Sequence, residues 1–223
     1  MPCNAMNFNL EGRHADTMLH LSCRLGRRLC VLENEQHRWL EIDGVVQSVR
    51  SHGDPSRLCL PHQDLLVQWL PEQASRILEL GLGGGDMIRH LAGRWPAAEL
   101  HCVDLDDEVI ELYRHYFQGE ERPALHLQEA HAFLLQADGR FDLILLDLFS
   151  QDGNPPLLFQ PGIYQILRER LAGRLLINLL PRTGLELERV LSLCERWLSP
   201  ARVWPLPGYR NCILMLDYPG QMS

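Results

Sequence analysis

From Arg76 onward the chain alternates short apolar runs with amphipathic segments, and no other feature restricts its fold as tightly. Arg76–Leu82 is an apolar run that ends in glycines, and Met87–Trp95 follows with helical spacing. Glu99–Asp106 is a second run, closed by acids. Asp107–Phe117 then sets Val109, Leu112, Tyr113 and Tyr116 on one helical stripe behind an acidic first turn. The pattern repeats with Ala124–Glu129 and Ala130–Gln136, then with Phe141–Phe149, the strongest apolar run. A helix from Pro161, the run Gly173–Leu180 and a helix carrying Leu187, Val190, Leu191, Cys194 and Leu198 continue it. Two last runs, Ala201–Pro207 and Cys212–Tyr218, are separated only by Gly208–Asn211, the spacing of a hairpin. Strands that are apolar throughout, with helices between them, predict a sheet covered on both faces. The expectation is a Rossmann-like, doubly wound, mostly parallel α/β sheet of seven strands with an antiparallel C-terminal hairpin. Ligands of such sheets sit beyond the carboxyl ends of the strands.

The first third reads differently. Leu29–Glu35 and Arg38–Asp43 form a β-hairpin pattern, with Val45–Val49 placed to extend it, and Pro61–Leu70 reads as a helix. The 223 residues thus divide into an arm over 1–28, a small β-hairpin region over 29–60 and the Rossmann-like domain over 61–223. The arm is expected to be flexible or loosely docked.

Composition narrows the function. The seven cysteines are scattered singly, without CxxC or CxxH pairs, which suits reduced thiols and a cytoplasmic location. The ten histidines form no HExxH or tight cluster, so no metal site is expected. No apolar run approaches the roughly 20 residues of a membrane span. A formal net charge of −8 weighs against a nucleic-acid partner and suits a cationic or neutral substrate.

The chemistry gathers at the strand ends. Glu79-Leu-Gly81-Leu-Gly83-Gly84-Gly85-Asp86 closes the first strand of the large sheet, where glycines let backbone approach a ligand and the next helix offers free N–H groups. The dinucleotide fingerprint GxGxxG needs glycine at position 86, where Asp86 stands, so nicotinamide and flavin enzymes are disfavoured. Asp104 ends the second strand at the separation expected of an acid that grips ribose hydroxyls. Glu129 ends the third, placed to accept from an exocyclic amine such as that of adenine, and Asp147 ends the fourth. Three acids at three successive strand ends have no evident structural task and point to a ligand.

With these residues in hand, Arg76–Leu180 resembles the spermidine-synthase-like branch of the adenosylmethionine-dependent transferases. The matching segments are GLGGGD, VDLD, the pair Glu129-Ala130, and FDLILLD. Glu41-Ile-Asp43-Gly44-Val-Val-Gln47 resembles that family's LDGxxQ segment, and Leu206-Pro207-Gly208-Tyr209 its late PxY element. The resemblance implies cofactor contacts at Gln47, Glu79, Gly81, Gly83, Gly84, Gly85, Asp104, Glu129, Ala130 and Asp147. It implies S-adenosylmethionine, or its decarboxylated form, as the bound group. It also implies pairing of the N-terminal hairpin across a homodimer.

Departures from the family bear on the reaction. Aminopropyltransferases carry an aspartate in the glycine loop that grips the aminopropyl ammonium; an ungapped match puts Gly84 there. The second acid of the family's DxxD motif falls on Ser150, with Asp152 close by, and the nearest counterpart of the gating tyrosine is His62. A polyamine needs several carboxylates, and two are missing. Losing one also removes a clash with the carboxylate of intact S-adenosylmethionine, worth on the order of a kcal/mol or more. The reading is therefore methyl transfer to a small-molecule or protein amine, with Asp147 orienting or deprotonating it. Ser150 and His62 are secondary catalytic candidates, and Tyr209 and Asp152 are substrate candidates. As a helix-start residue, His62 reads first as a surface histidine. Aminopropyl transfer is the alternative, and a non-catalytic adenosyl-binding protein the second. Asn154-Pro155-Pro156-Leu157 is similar to the NPPY motif of nucleic-acid amino-methyltransferases but stands several residues past Asp147, where that motif should begin.

Overall fold

The computed structural model describes residues 14–24, 26–149 and 153–218. Its larger sheet contains seven strands. In chain order they are β5 (Arg76–Leu80), β6 (Glu99–Asp104), β7 (Ala124–Leu127), β8 (Phe141–Leu146), β9 (Leu171–Leu179), β10 (Arg202–Pro205) and β11 (Cys212–Asp217). Their spatial order is β10-β11-β9-β8-β5-β6-β7. Pairings from β7 through β9 are parallel, while β11 runs antiparallel to both β9 and β10, as the hairpin spacing predicts.

The period of two in the buried strands sorts side chains onto two faces. Leu78, Leu80, Ile144 and Leu146 pack beneath α4 (Ala130–Gln136), α5 (Pro161–Arg170) and α6 (Gly184–Trp197). Ile77, Leu143 and Leu145 face α1 (Pro61–Gln68), α2 (Asp86–Arg94) and α3 (Asp107–Leu112). The helical stripe read over Asp107–Phe117 changes pitch halfway, because Tyr113–Phe117 forms one π-helical turn. Its Tyr113 ring lies where a Cβ on Gly85 would sit.

The N-terminal region is larger than the predicted hairpin. Four antiparallel strands, β1 (Thr17–Arg24), β2 (Arg27–Glu33), β3 (His37–Ile42) and β4 (Val45–Ser51), form a second sheet in that order. Strand β1 lies inside the stretch read as an arm. Ser22 Oγ donates to Glu108, Arg24 pairs with Asp107 at 3.0 Å, and Arg27 pairs with Asp106 at 2.6 Å. These contacts set cations against the acidic first turn of α3 and dock the small sheet on the large one. No helix among the described residues is long and apolar enough to cross a membrane.

Candidate functional site

The order of the large sheet reverses between β5 and β8, which opens a crevice at their carboxyl ends. The glycine loop after β5 fills its floor. Gly81 takes φ +100°, and a Cβ there would strike the Asp147 carbonyl, so only glycine lets the two strand ends come this close. Strand β4 crosses above. Ser48 Oγ accepts from Gly84 N–H at 2.6 Å, and Cβ atoms at Gly83 or Gly84 would lie 2.7 Å from Ser48 side-chain atoms. Gln47 lies on this strand, its side chain turned back on the Val45 carbonyl at 3.3 Å. Ser48 escaped the sequence reading.

Asp86, the residue that broke the dinucleotide spacing, faces inward. Its Oδ1 pairs with the Arg89 guanidinium at 2.5 Å, and its Oδ2 accepts from Val49 N–H at 2.9 Å and from Gln63 Nε2 at 3.1 Å. Arg89 also donates to the carbonyls of Gly84, Phe117 and Pro55. Both side chains are only 3% exposed. This buried pair joins the glycine loop, β4, α1 and the π turn, so Asp86 is committed to structure.

The strand-end acids also have structural tasks, contrary to the expectation that none would be evident. Asp104 Oδ2 accepts from Leu82 N–H at 2.9 Å and Oδ1 from Asp106 N–H at 2.9 Å, which pins the glycine loop to the end of β6. Burial nonetheless raises its carboxyl above the usual range. Glu129 caps α4, its Oε2 accepting from Ala132 N–H at 2.8 Å, while Ala130 starts the helix and is buried. Each carboxylate keeps lone pairs for further donors. Beside them, Leu105 is 73% and Leu127 is 59% exposed, two apolar side chains at adjacent strand ends.

Asp147 directly follows β8, its side chain partly exposed. Its Oδ1 accepts from Asn178 Nδ2 at 2.8 Å, and its Oδ2 lies 3.8 Å from His62 Nε2. His62 is therefore no surface residue: the first turn of α1 packs inward, and the residue is 4% exposed. Burial lowers its affinity for a proton, against the pull of Asp147, Asp86 and Asp64. Its Nδ1 has no hydrogen-bond partner among the described residues. Asn178 and Asn211 were missed in the sequence, although an asparagine inside LLINLL was a signal. Tyr209 is half-exposed in the β10–β11 turn, its N–H bonded to the Leu206 carbonyl at 3.1 Å. Ser150 and Asp152 lie outside the described residues, and no cluster with metal-ligand character occurs among those described.

Glu79 lies beneath the loop, fully buried, with Cys102 Sγ 3.9 Å away. Burial, then the charges of Asp147 and Asp86, raise its carboxyl well above the ordinary value of 4.5. The folded chain thus keeps a proton that the unfolded chain releases, and stability declines as pH rises from about 4.5 toward the folded value. The slope for one proton is about 1.4 kcal/mol per pH unit. Glu79→Gln should remove that decline, gaining on the wild type as pH rises above about 4.5. Urea unfolding across a pH series checks it; parallel curves for the two proteins would show an ionised Glu79.

Comparisons with known proteins agree with this geometry. Residues 77–168 match a methyltransferase domain. Polyamine aminopropyltransferase 1 of Pseudomonas aeruginosa is 25% identical over 190 residues, covering 81% of this chain and 65% of the relative. The eEF1A lysine and N-terminal methyltransferase of Xenopus laevis is 24% identical over 190 residues, covering 74% of this chain and 27% of the relative. The chain therefore spans less than two thirds of the length of these relatives. A probable spermidine synthase from Corynebacterium glutamicum shares the fold with a TM-score of 0.75 at 19% identity, over 90% of this chain and 79% of that one.

Proposed function

We propose that this chain, a member of the spermidine-synthase-like group of adenosylmethionine-dependent transferases, transfers a methyl group from intact S-adenosylmethionine to an amine. Position 84 carries this reading. A carboxylate there would be needed to hold an aminopropyl ammonium, yet a Cβ on Gly84 meets Ser48 Cβ at 2.7 Å and Phe117 Cδ1 at 3.2 Å. The space is taken by protein.

The remaining cradle fits an adenosyl ligand. At Gly81, Gly83 and Gly85 a Cβ would strike Asp147, Ser48 and Tyr113, so glycine lets the loop close tightly over the strand ends and keep its backbone at the crevice. Asp104 retains lone pairs for ribose hydroxyls, Glu129 for an exocyclic amine, and Leu105 offers apolar surface beside them for a flat ring. When bound, the cofactor supplies an electrophilic methyl on a sulfonium. The chain must then bring a neutral amine in line with it and exclude water. Asp147 Oδ2 takes the proton of the incoming ammonium, which frees the nitrogen lone pair, and neutral His62 stands beside it. The described cysteines are all free, which suits a cytoplasmic protein. β1, at the outer edge of the small sheet, is where a homodimer would pair.

Calorimetry with S-adenosylmethionine, its decarboxylated form and methylthioadenosine tests the reading. Intact S-adenosylmethionine should bind more tightly than the decarboxylated form. The reverse preference would favour aminopropyl transfer, the activity named for the Pseudomonas relative. No binding at all would leave neither enzyme. Asp104→Asn should weaken adenosyl binding about tenfold or more, because one amide N–H₂ must then face the Leu82 or Asp106 N–H, donor against donor. Unchanged affinity would remove Asp104 from the site.

A further inference from the structure

Asp147 is the visible end of a buried chain of polar side chains that neither the glycine loop nor the ribose site uses. Asn178 lies on β9 and is 1% exposed; its Nδ2 donates to Asp147 Oδ1 at 2.8 Å. Asn211, just ahead of β11 and also 1% exposed, donates its Nδ2 to Asn178 Oδ1 at 3.0 Å. Two asparagines in an apolar sheet are costly unless their hydrogen bonds are used. The direction of the chain is informative. An asparagine beside a carboxylate could present either its amide N–H₂ or its carbonyl, and only the first is favourable. The Asn178 carbonyl, turned away from Asp147, accepts from Asn211, whose own Oδ1 has no hydrogen-bond partner among the described residues. The two amides thus line up head to tail with the N–H₂ of Asn178 on Asp147. The carboxylate is then held by Oδ1, and Oδ2 is left toward His62, 3.8 Å away and too far for a hydrogen bond.

We propose that Asn178 and Asn211 are positioning residues that fix the Asp147 carboxylate, so that Oδ2 alone is presented to the acceptor amine and to His62. This rests on the methyl-transfer reading above. It adds two residues from the distal strands that touch no part of the adenosyl cradle. Asn211 acts at one remove, by preventing Asn178 from turning over. The arrangement makes Asp147 Oδ2 the proton-accepting oxygen, while Oδ1 stays engaged through the reaction.

The test needs no known acceptor. In protein labelled with ¹⁵N-histidine, the imidazole of His62, assigned through His62→Gln, reports where the Asp147 charge lies. Asn178→Leu and Asn211→Leu should each lower the pH at which His62 titrates by about half a pH unit or more, because an unpinned carboxylate swings toward solvent and no longer opposes burial of the ring. Asn154→Leu removes another buried asparagine, one bonded to the Leu180 backbone, and should leave the titration in place. In an Asp147→Asn background the two leucine variants should add nothing. An unmoved titration in both, an equal movement in Asn154→Leu, or an additive effect on Asp147→Asn would each overturn the proposal. If Asn178→Leu does not fold, Asn211→Leu decides the matter. Calorimetry with S-adenosylhomocysteine on the same samples separates the two ideas: absent binding by the wild type rejects the cofactor reading while the His62 titration still reports on the asparagines.

Discussion

Replacing Asp86 with alanine should lower the stability of the folded chain by about 3–5 kcal/mol, the penalty of leaving a buried charge without its partner. The Arg89 guanidinium is 3% exposed, and its other partners are the carbonyls of Gly84, Phe117 and Pro55, which carry no charge to balance it. The Val49 N–H and the Gln63 amide lose their acceptor in the same stroke. A urea titration should show a lower midpoint with an unchanged slope. Asp86→Leu combined with Arg89→Met should cost less than Asp86→Ala alone, since no unpaired charge then remains. A single alanine variant within about 1 kcal/mol of wild type would show that the pair is dispensable.

The fold was legible because the central strands of the large sheet are bounded apolar runs, and the helices between them carry apolar stripes. The small sheet was only half legible. β1, Thr17–Arg24, is exposed along much of its length and alternates weakly, and its Ser22 and Arg24, with Arg27 at the start of β2, are held against acids some 80 residues away. No local pattern announces such a partnership. The same limit applies at the site. Glycines and strand-end acids mark the crevice in the sequence, since close backbone approach demands the first and the N–H groups of the loops and helix starts there favour the second. Their division of labour is set by contacts between distant segments. Asp86 was visible as a mismatch to the dinucleotide spacing, but its bonds to Val49 and Gln63 depend on where β4 and α1 cross the loop. His62 looked like a surface residue at a helix start, and is buried because that helix packs its first turn toward the end of β8. Glu129 was singled out as an acceptor for an exocyclic amine, yet its cap on Ala132 shows that an acid before a helix has a local reason to be there.

Gly84→Asp is the substitution that separates the two transfer reactions, and it should fail to convert one into the other. If this chain were an aminopropyltransferase lacking one acid, restoring that acid would strengthen binding of the decarboxylated cofactor. The loop forbids it. The new Cβ would lie 2.7 Å from Ser48 Cβ and 3.2 Å from Phe117 Cδ1, and the carboxylate beyond it would enter a buried region against β4. Overpacking and an unpaired charge together should cost about 3 kcal/mol or more, with no gain in affinity for the decarboxylated cofactor. Adding Ser48→Gly removes the nearest obstruction, and with it the hydroxyl that accepts from the Gly84 N–H. That double variant should recover part of the lost stability. Only in that background could the decarboxylated form gain on S-adenosylmethionine, whose own carboxylate would be repelled by the new charge. Thermal melts and calorimetry on the single and double variants decide the point. A Gly84→Asp protein that keeps wild-type stability and binds the decarboxylated cofactor tenfold more tightly would mean that position 84 faces the ligand, and the assignment of methyl transfer would fall with it.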